Sequence, residues 1–380
     1  MKGIYISHID LENSSDGVAK KITYQIETLR KNDIDIVPPY TVPKKKSFLL
    51  EKLRILDPFF SNRTDLISVS LKKILAEMTF EDMDFVYIRK SYIDNYQIML
   101  YKKLREKKRN LKIIMEIPTF PYDKEVVNLK KYTLLAKDKR ARKKLCGLVD
   151  RVVTYSDDKV IFGIPTIRIS NGIDFSSVTP KKKTNGNEIS IIAVALFGYW
   201  HGYDRFIEGM KDYYSSDYKK KVILHLVGYG PALQTYKDLT IKYKLEDYII
   251  FHGKLFGEEL DEIYNKCDIT LDALARHRGG LYYNSSLKGK EYCAKGLPII
   301  SGVRTELDDF SGFPYYMRVP ADDTVIDMKS VLNFYRKVYE GEESKEDVIN
   351  SIIEQTKDRF DMANAFMPVI NYIKTKESSL

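Results

Sequence analysis

The chain has 380 residues, more than one hydrophobic core usually serves, so two domains of roughly 150 to 200 residues are expected. Apolar residues make up 44% of it and charged residues 30%, and 28 Tyr and 17 Phe exclude a disordered or low-complexity chain. The net charge of +9 belongs to the first half: residues 1–173 hold 34 Lys and Arg against 22 Asp and Glu, a net +12, and the rest hold 28 against 31, a net −3.

Residues 2–7 alternate apolar and polar and predict a first strand. They turn polar before a signal-peptide core could form, and the longest apolar run, 189–200, is too short to span a bilayer, so a cytoplasmic location is expected. A helix follows over 18–31. Gly17 at its start is a place where a ligand can approach the backbone, although no GxGxxG follows. After a strand at 34–37 comes a less regular region, 38–67. In it FLLEKLRIL (48–56) has helical apolar spacing on a basic background, suited either to covering the core or to lying on a membrane surface.

From 84 on, strands at 85–88, 111–117 and 151–154 alternate with helices over 95–108 and 125–148, which means a parallel sheet. The loop EIPTFPYDKE (116–125) sits at the carboxyl end of a strand, where open α/β sheets bind ligands. Its carboxylates, Glu116 and Asp123, suit acceptor hydroxyls, and Asp123 equally suits a helix cap. The basic clusters at 44–46, 102–109 and 130–144 are either solvated faces or an attraction to an anionic surface. Aromatic residues are not interleaved with them in a stacking pattern, so no nucleic-acid partner is expected. Cys146, Cys267 and Cys293 form no Cys-x-x-Cys pair and read as buried thiols in a reducing compartment.

The boundary falls near 175, after the turn ISNGID (169–174). The second half repeats the pattern, with strands at 189–195, 222–227, 249–252 and 269–273 and helices starting near 203, 232 and 258. Then comes NSSLKGKEYCAKGLPII (284–300). Asn284, Ser285 and Ser286 are N-cap types, 288–295 is helical, and Gly296 and Pro298 close it before a buried strand. The first turn of that helix, at Ser286 and Leu287, exposes unpaired amides. Lys288 adds a charge beside them, so a phosphate would sit well there. Glu291, three residues on, lies on the same face, where a carboxylate accepts from ribose hydroxyls. Helices are predicted over 322–339, 345–360 and 362–374.

Glu291, Ala294, Gly296, Pro298, Ile299 and Ile300, with the preceding HRGGLYYNSSLK (277–288), resemble the donor site of the retaining GT-B glycosyltransferases of family 4. VGYGP (227–231), with Gly228 and Gly230, is similar to that family's base-binding turn, and the Gly17 turn and ISNGID are similar to its cleft loop and interdomain link. The resemblance implies two doubly wound Rossmann-like α/β domains facing across a cleft. Residues 1–175 would bind the acceptor and 176–380 the nucleotide-sugar, with the last helix packing back on the first domain. It implies sugar transfer with retention from a nucleotide diphosphate donor, most readily a UDP-sugar, to a glycan or lipid-linked hydroxyl. That reaction belongs to polysaccharide or glycoconjugate synthesis, peripheral to an anionic membrane. A GT-B sugar-nucleotide epimerase is the alternative. No cofactor or metal is expected, because no Asp-x-Asp pair stands in a metal-binding loop.

Two departures matter. The family's second Glu, eight positions before the first, is Tyr283 here. The cations that usually follow the first strand of the donor domain are replaced by His201, with Leu196 and Phe197 upstream. Arg278 and Lys288 are the candidates to compensate, as catalytic residues with Glu291. His277, Asn284, His201 and Arg205 complete the expected donor contacts.

Overall fold

The computed structural model describes residues 1–9, 11, 17–37, 66–123, 129–182, 186, 188–341 and 343–375. Residues 38–65, most of the region expected to be less regular, with the stretch 48–56 and the basic cluster 44–46, lie outside them. The chain divides into two compact units, Met1–Ser170 with Met362–Leu380, and Asn171–Asp361.

Unit 1 is built on a seven-stranded sheet in the order β2-β1-β3-β4-β5-β7-β6, from β1 (Lys2–Ile6), β2 (Asp35–Val37), β3 (Phe85–Arg89), β4 (Lys112–Ile117), β5 (Arg151–Thr154), β6 (Val160–Ile161) and β7 (Ile164–Arg168). Every pairing is parallel except β6 with β7. The central strands are buried along their whole length because helices cover both faces, which is why they read as continuous apolar runs. On one face lie α2 (Leu66–Glu77), α3 (Asn95–Lys107) and α4 (Leu129–Ala141). On the other, α1 (Gly17–Lys31) packs with the last helix, α11 (Met362–Lys374), through Ile22, Ile26, Phe366, Val369 and Ile370. Lys112 fastens α11 from the sheet: its ammonium donates to the Tyr372, Ile373 and Thr375 carbonyls at 2.8, 2.9 and 2.5 Å, at the negative end of the helix dipole.

The structure departs from the sequence reading in several places here: the two-residue strand β6 was not predicted, and Cys146, read as a buried thiol, is exposed. The helix expected over 125–148 ends at Ala141 and gives way to a 3-10 turn, Arg142–Lys144. The helix α2 was not expected; its Ile67, Leu71, Ile74 and Leu75 do fall on one face, but two serines interrupt the pattern.

Unit 2 holds a six-stranded, wholly parallel sheet in the order β10-β9-β8-β11-β12-β13. Its strands are β8 (Ile189–Leu196), β9 (Val222–Tyr229), β10 (Ile249–Gly253), β11 (Ile269–Leu271), β12 (Ile299–Ser301) and β13 (Tyr316–Arg318). Its helices are α5 (Tyr203–Tyr214), α6 (Leu233–Lys242), α7 (Gly257–Lys266), α8 (Leu287–Lys295), α9 (Met328–Tyr339) and α10 (Lys345–Phe360). Strands are added outward from β8 to β10, then on the opposite side from β11 to β13. The order therefore reverses between β8 and β11, and the loops leaving these two strands flank the crevice in which doubly wound sheets bind ligands.

Candidate functional site

The loop after β11 returns to the sheet through α8, and its start is tightly built. Ser286 caps the helix: its hydroxyl accepts from the Gly289 amide at 3.3 Å and donates to Asp272 at 3.0 Å. Ser285 takes the Asn171 amide at 2.8 Å. Below the helix, Lys290 and Glu306 form a buried ion pair at 2.5 Å. At the other end Gly296 takes the left-handed C-cap conformation. The Leu287 and Lys288 amides have no carbonyl four residues back within the helix, so they face outward at its positive end.

Lys288 stands beside these amides. Its side chain is 23% exposed, but the exposure belongs to the stem, since the ammonium itself is enclosed and finds no hydrogen-bond partner among the described residues. Asp272 lies 3.7 Å away, beyond hydrogen-bond reach. Burial pushes the Lys288 pKa down to about 8; Asp272 opposes the shift and Arg276 adds to it. Two more buried nitrogens of the same loop, Arg276 Nε and His277 Nδ1, are also without a partner among the described residues.

The loop after β8 faces this group. His201 sits in the 3-10 turn Tyr199–His201; its Nδ1 accepts from the Gly198 amide at 2.9 Å, and its carbonyl accepts from the Leu274 amide at 2.7 Å. Gly202 then adopts φ 66°, and a Cβ there would lie 2.4 Å from that of Ala275. This close approach locks the two loops together. Burial, with Lys288 and Arg276 nearby, lowers the His201 pKa to about 2, so the ring is neutral at physiological pH.

Two expected donor cations are engaged elsewhere. Arg278 forks onto Asp204 at 3.0 and 2.7 Å, donates to Asp323 at 2.7 Å and reaches the Tyr199 carbonyl at 2.9 Å. Four of its five N–H groups are occupied, which makes it a brace between loops rather than a compensating charge. Arg205 is 1% exposed and donates to the Thr324, Leu274 and Pro320 carbonyls, with Asp322 at 3.6 Å, so it ties α5 to the 320–324 segment instead of facing a ligand.

Glu291 accepts from the buried Tyr264 hydroxyl at 3.2 Å, which fixes the carboxylate from α7. The Asn284 amide donates to Arg304, and His277 Nε2 lies 3.1 Å from Asp323. Gly228 and Gly230 have φ near 140°, and a Cβ on either would strike the backbone of Ala195 or Phe197. Their glycine identity thus serves the close approach of β9 to the end of β8.

In unit 1, Gly17 is the exposed first residue of α1. Glu116, expected to meet an acceptor, has no exposed surface. It accepts from Tyr87 and Tyr155, both at 2.8 Å, and from Tyr5 at 3.3 Å; it is hydrogen-bonded to Arg89 and lies 3.5 Å from Lys21. Burial alone would raise its pKa, but Arg89 and Lys21 with the phenols outweigh it and hold the carboxyl at about 2. The carboxylate is therefore the centre of a buried ionic network and not an acceptor ligand. Asp123 is gripped by the Arg142 fork at 2.7 and 3.1 Å, with Lys139 at 3.3 Å, which anchors the 3-10 turn Arg142–Lys144; the residues it was expected to cap, 124–128, lie outside the described residues.

Sequence reasoning missed Arg276, Asp272 and Tyr264. Arg276 directly precedes the motif that was read and carries the same charge as Arg278; only the partners distinguish the two. Asp272 had a signal in its place just past β11, at the switch point of the sheet.

Residues 175–302 match the family described as Glycosyl transferases group 1. Over 339 residues the chain is 26% identical to an uncharacterized glycosyltransferase of Methanocaldococcus jannaschii, a match that covers 82% of this chain and 83% of that protein. Among solved structures it resembles sucrose-phosphate synthase from Thermosynechococcus elongatus, with TM-score 0.63, 16% identity and 98% of each chain covered. It also resembles Anabaena HepE in complex with UDP, with TM-score 0.61, 12% identity, and 98% of this chain and 99% of that one covered. The two Rossmann-like units thus have the GT-B fold of these glycosyltransferases, and the stretch that matches glycosyl transferases group 1 lies in the second.

Proposed function

We propose that the protein is a retaining glycosyltransferase of family 4 type. It moves a sugar from a nucleotide diphosphate donor, a UDP-sugar, to a hydroxyl of a glycan or lipid-linked acceptor in surface polysaccharide or glycoconjugate synthesis. The observation that carries this reading is Lys288, whose enclosed ammonium has no hydrogen-bond partner among the described residues and stands at the amino end of α8. Asp272 supplies a counter-charge 3.7 Å away but no hydrogen bond, and a buried ammonium whose hydrogen bonds are unmade is costly unless an anion completes them. A diphosphate placed there meets the ammonium and the Leu287 and Lys288 amides, and Glu291, one turn further in, is placed for ribose hydroxyls. Anabaena HepE is seen in complex with UDP, which supports uracil as the base.

In the reaction, the bond between the anomeric carbon and the diphosphate oxygen breaks and its electron pair leaves with the oxygen. Lys288 and the helix amides stabilise that growing charge, which is where catalysis of this step gains most. The acceptor hydroxyl oxygen bonds to the anomeric carbon from the same face, and its proton passes to the departing phosphate oxygen, so configuration is retained. Unit 1, with its basic surface, takes the acceptor. The test is incubation with a panel of nucleotide sugars and a lipid-linked glycan, followed by NMR of the new anomeric proton. Transfer with the donor's configuration supports the reading; inversion, or free sugar nucleotide altered at one carbon with no transfer, contradicts it.

A further inference from the structure

The loop after β8 offers a neutral His201, so a second positive charge for the donor diphosphate has to come from elsewhere. Arg276 is the residue so placed. It opens the 3-10 turn Arg276–Gly279 directly after Ala275, whose Cβ is the atom that Gly202 approaches, and Leu274, one residue earlier, is hydrogen-bonded to the His201 carbonyl. The chain is thereby held against the β8 loop at His201 and at Gly202. The guanidinium lies 6.0 Å from the Trp200 ring, the neighbour of His201, and its buried Nε has no partner among the described residues. By contrast Arg278, two residues on, is nearly saturated by Asp204, Asp323 and Tyr199.

Lys288 and Arg276 bring two positive charges to this point, opposed by Asp272, whose carboxylate is partly satisfied by Ser286, and by Glu291, which is held by Tyr264. Arg276 Nε, Lys288 Nζ and His277 Nδ1 are all enclosed and unpartnered among the described residues. A planar guanidinium presents a fork of donors that matches two phosphate oxygens, which an ammonium cannot do.

We propose that Arg276 is a diphosphate-binding residue of the donor site, reached from the β11–α8 loop and acting with Lys288 in place of cations on the β8–α5 loop. This rests on the donor-site reading above. Both charges then come from one segment, so the β8 loop is left to hold its partner loop in position.

The experiment is calorimetric titration of the full chain with UDP and, separately, with uridine, at low and high salt. Arg276→Gln is expected to weaken UDP binding by about tenfold or more, to leave uridine binding unchanged, and to flatten the salt dependence of UDP binding. Arg276→Lys, which keeps the charge without the fork, is expected to recover part of the loss. If Arg276→Gln binds UDP as wild type does, or loses UDP and uridine equally, the assignment is overturned while the donor site stands. If the wild-type chain binds neither UDP nor any other nucleoside diphosphate, the donor-site reading falls and the assignment with it.

Discussion

Glu116 and Lys288 show how a single residue's partners decide its role. Glu116 occupies the carboxyl end of β4, where a ligand-binding carboxylate is expected, yet Arg89 pairs with it across the β3–β4 register and three tyrosines donate to it. Removing its charge leaves Arg89 buried without a counter-ion, which typically costs about 3–5 kcal/mol. Glu116→Gln should therefore lower unfolding stability by roughly that amount in urea; an acceptor ligand at the surface would leave stability unchanged. Lys288 gives the opposite case, a cation with no firm partner. Its pKa near 8 means that the ammonium loses its charge as pH rises through 8. Affinity for a diphosphate should accordingly fall between pH 7 and pH 9, and Lys288→Ala should remove that dependence; a titration series of UDP across this range checks both. At this scale the placement of Lys288 and Glu291 near the start of α8 was legible in the sequence, because a helix start dictates which side chains stand beside its amides. Arg276 and Arg278 were not separable, since the difference lies in Asp204 and Asp323, which are distant in sequence.

The element that organises unit 2 is α8, and both of its ends were written in local chemistry: a serine cap at 286 and a left-handed glycine at 296. Helix α2 and the end of α4 were less legible. The first has its apolar face broken by serines, and the second ends where Arg142 turns to meet Asp123, a contact the sequence does not announce. Between elements, the bond from Tyr264 on α7 to Glu291 on α8 fixes the carboxylate proposed to hold the donor ribose, which would make Tyr264 a positioning residue. Tyr264→Phe should raise KM for the nucleotide sugar several-fold with little change in kcat, as expected when ground-state and transition-state binding are weakened alike. The loss should be smaller for a 2′,3′-dideoxy nucleotide, which lacks the hydroxyls; an equal loss for both nucleotides would show that Tyr264 acts only through packing.

At the scale of the whole molecule, the two parallel sheets were legible from the alternation of short apolar runs with helical patterns, and the extra strands β6 and β13 escaped because each is only two or three residues long. The charge asymmetry acquires a place in the structure. Exposed Lys102, Lys103, Lys107 and Arg109 belong to α3 and the turn after it, and exposed Lys139, Arg140, Lys143 and Lys144 to the end of α4 and the turn that follows; the two helices pack together. No described helix is long and apolar enough to cross a membrane. Each cation near an anionic surface contributes about 1 kcal/mol, so a few suffice for reversible, salt-sensitive attachment. Sedimentation with liposomes should show binding that rises with anionic lipid content and is lost at high salt; equal and negligible binding to neutral and anionic vesicles would favour a soluble acceptor. The central claim is a nucleotide-sugar site at the amino end of α8, and its most direct test is the calorimetric titration of UDP into the wild-type chain, Lys288→Ala and Glu291→Gln. The account predicts saturable binding by the wild type and a loss of about tenfold or more in each variant, with unfolding transitions intact. Wild-type affinity in both variants would place the nucleotide elsewhere and contradict it.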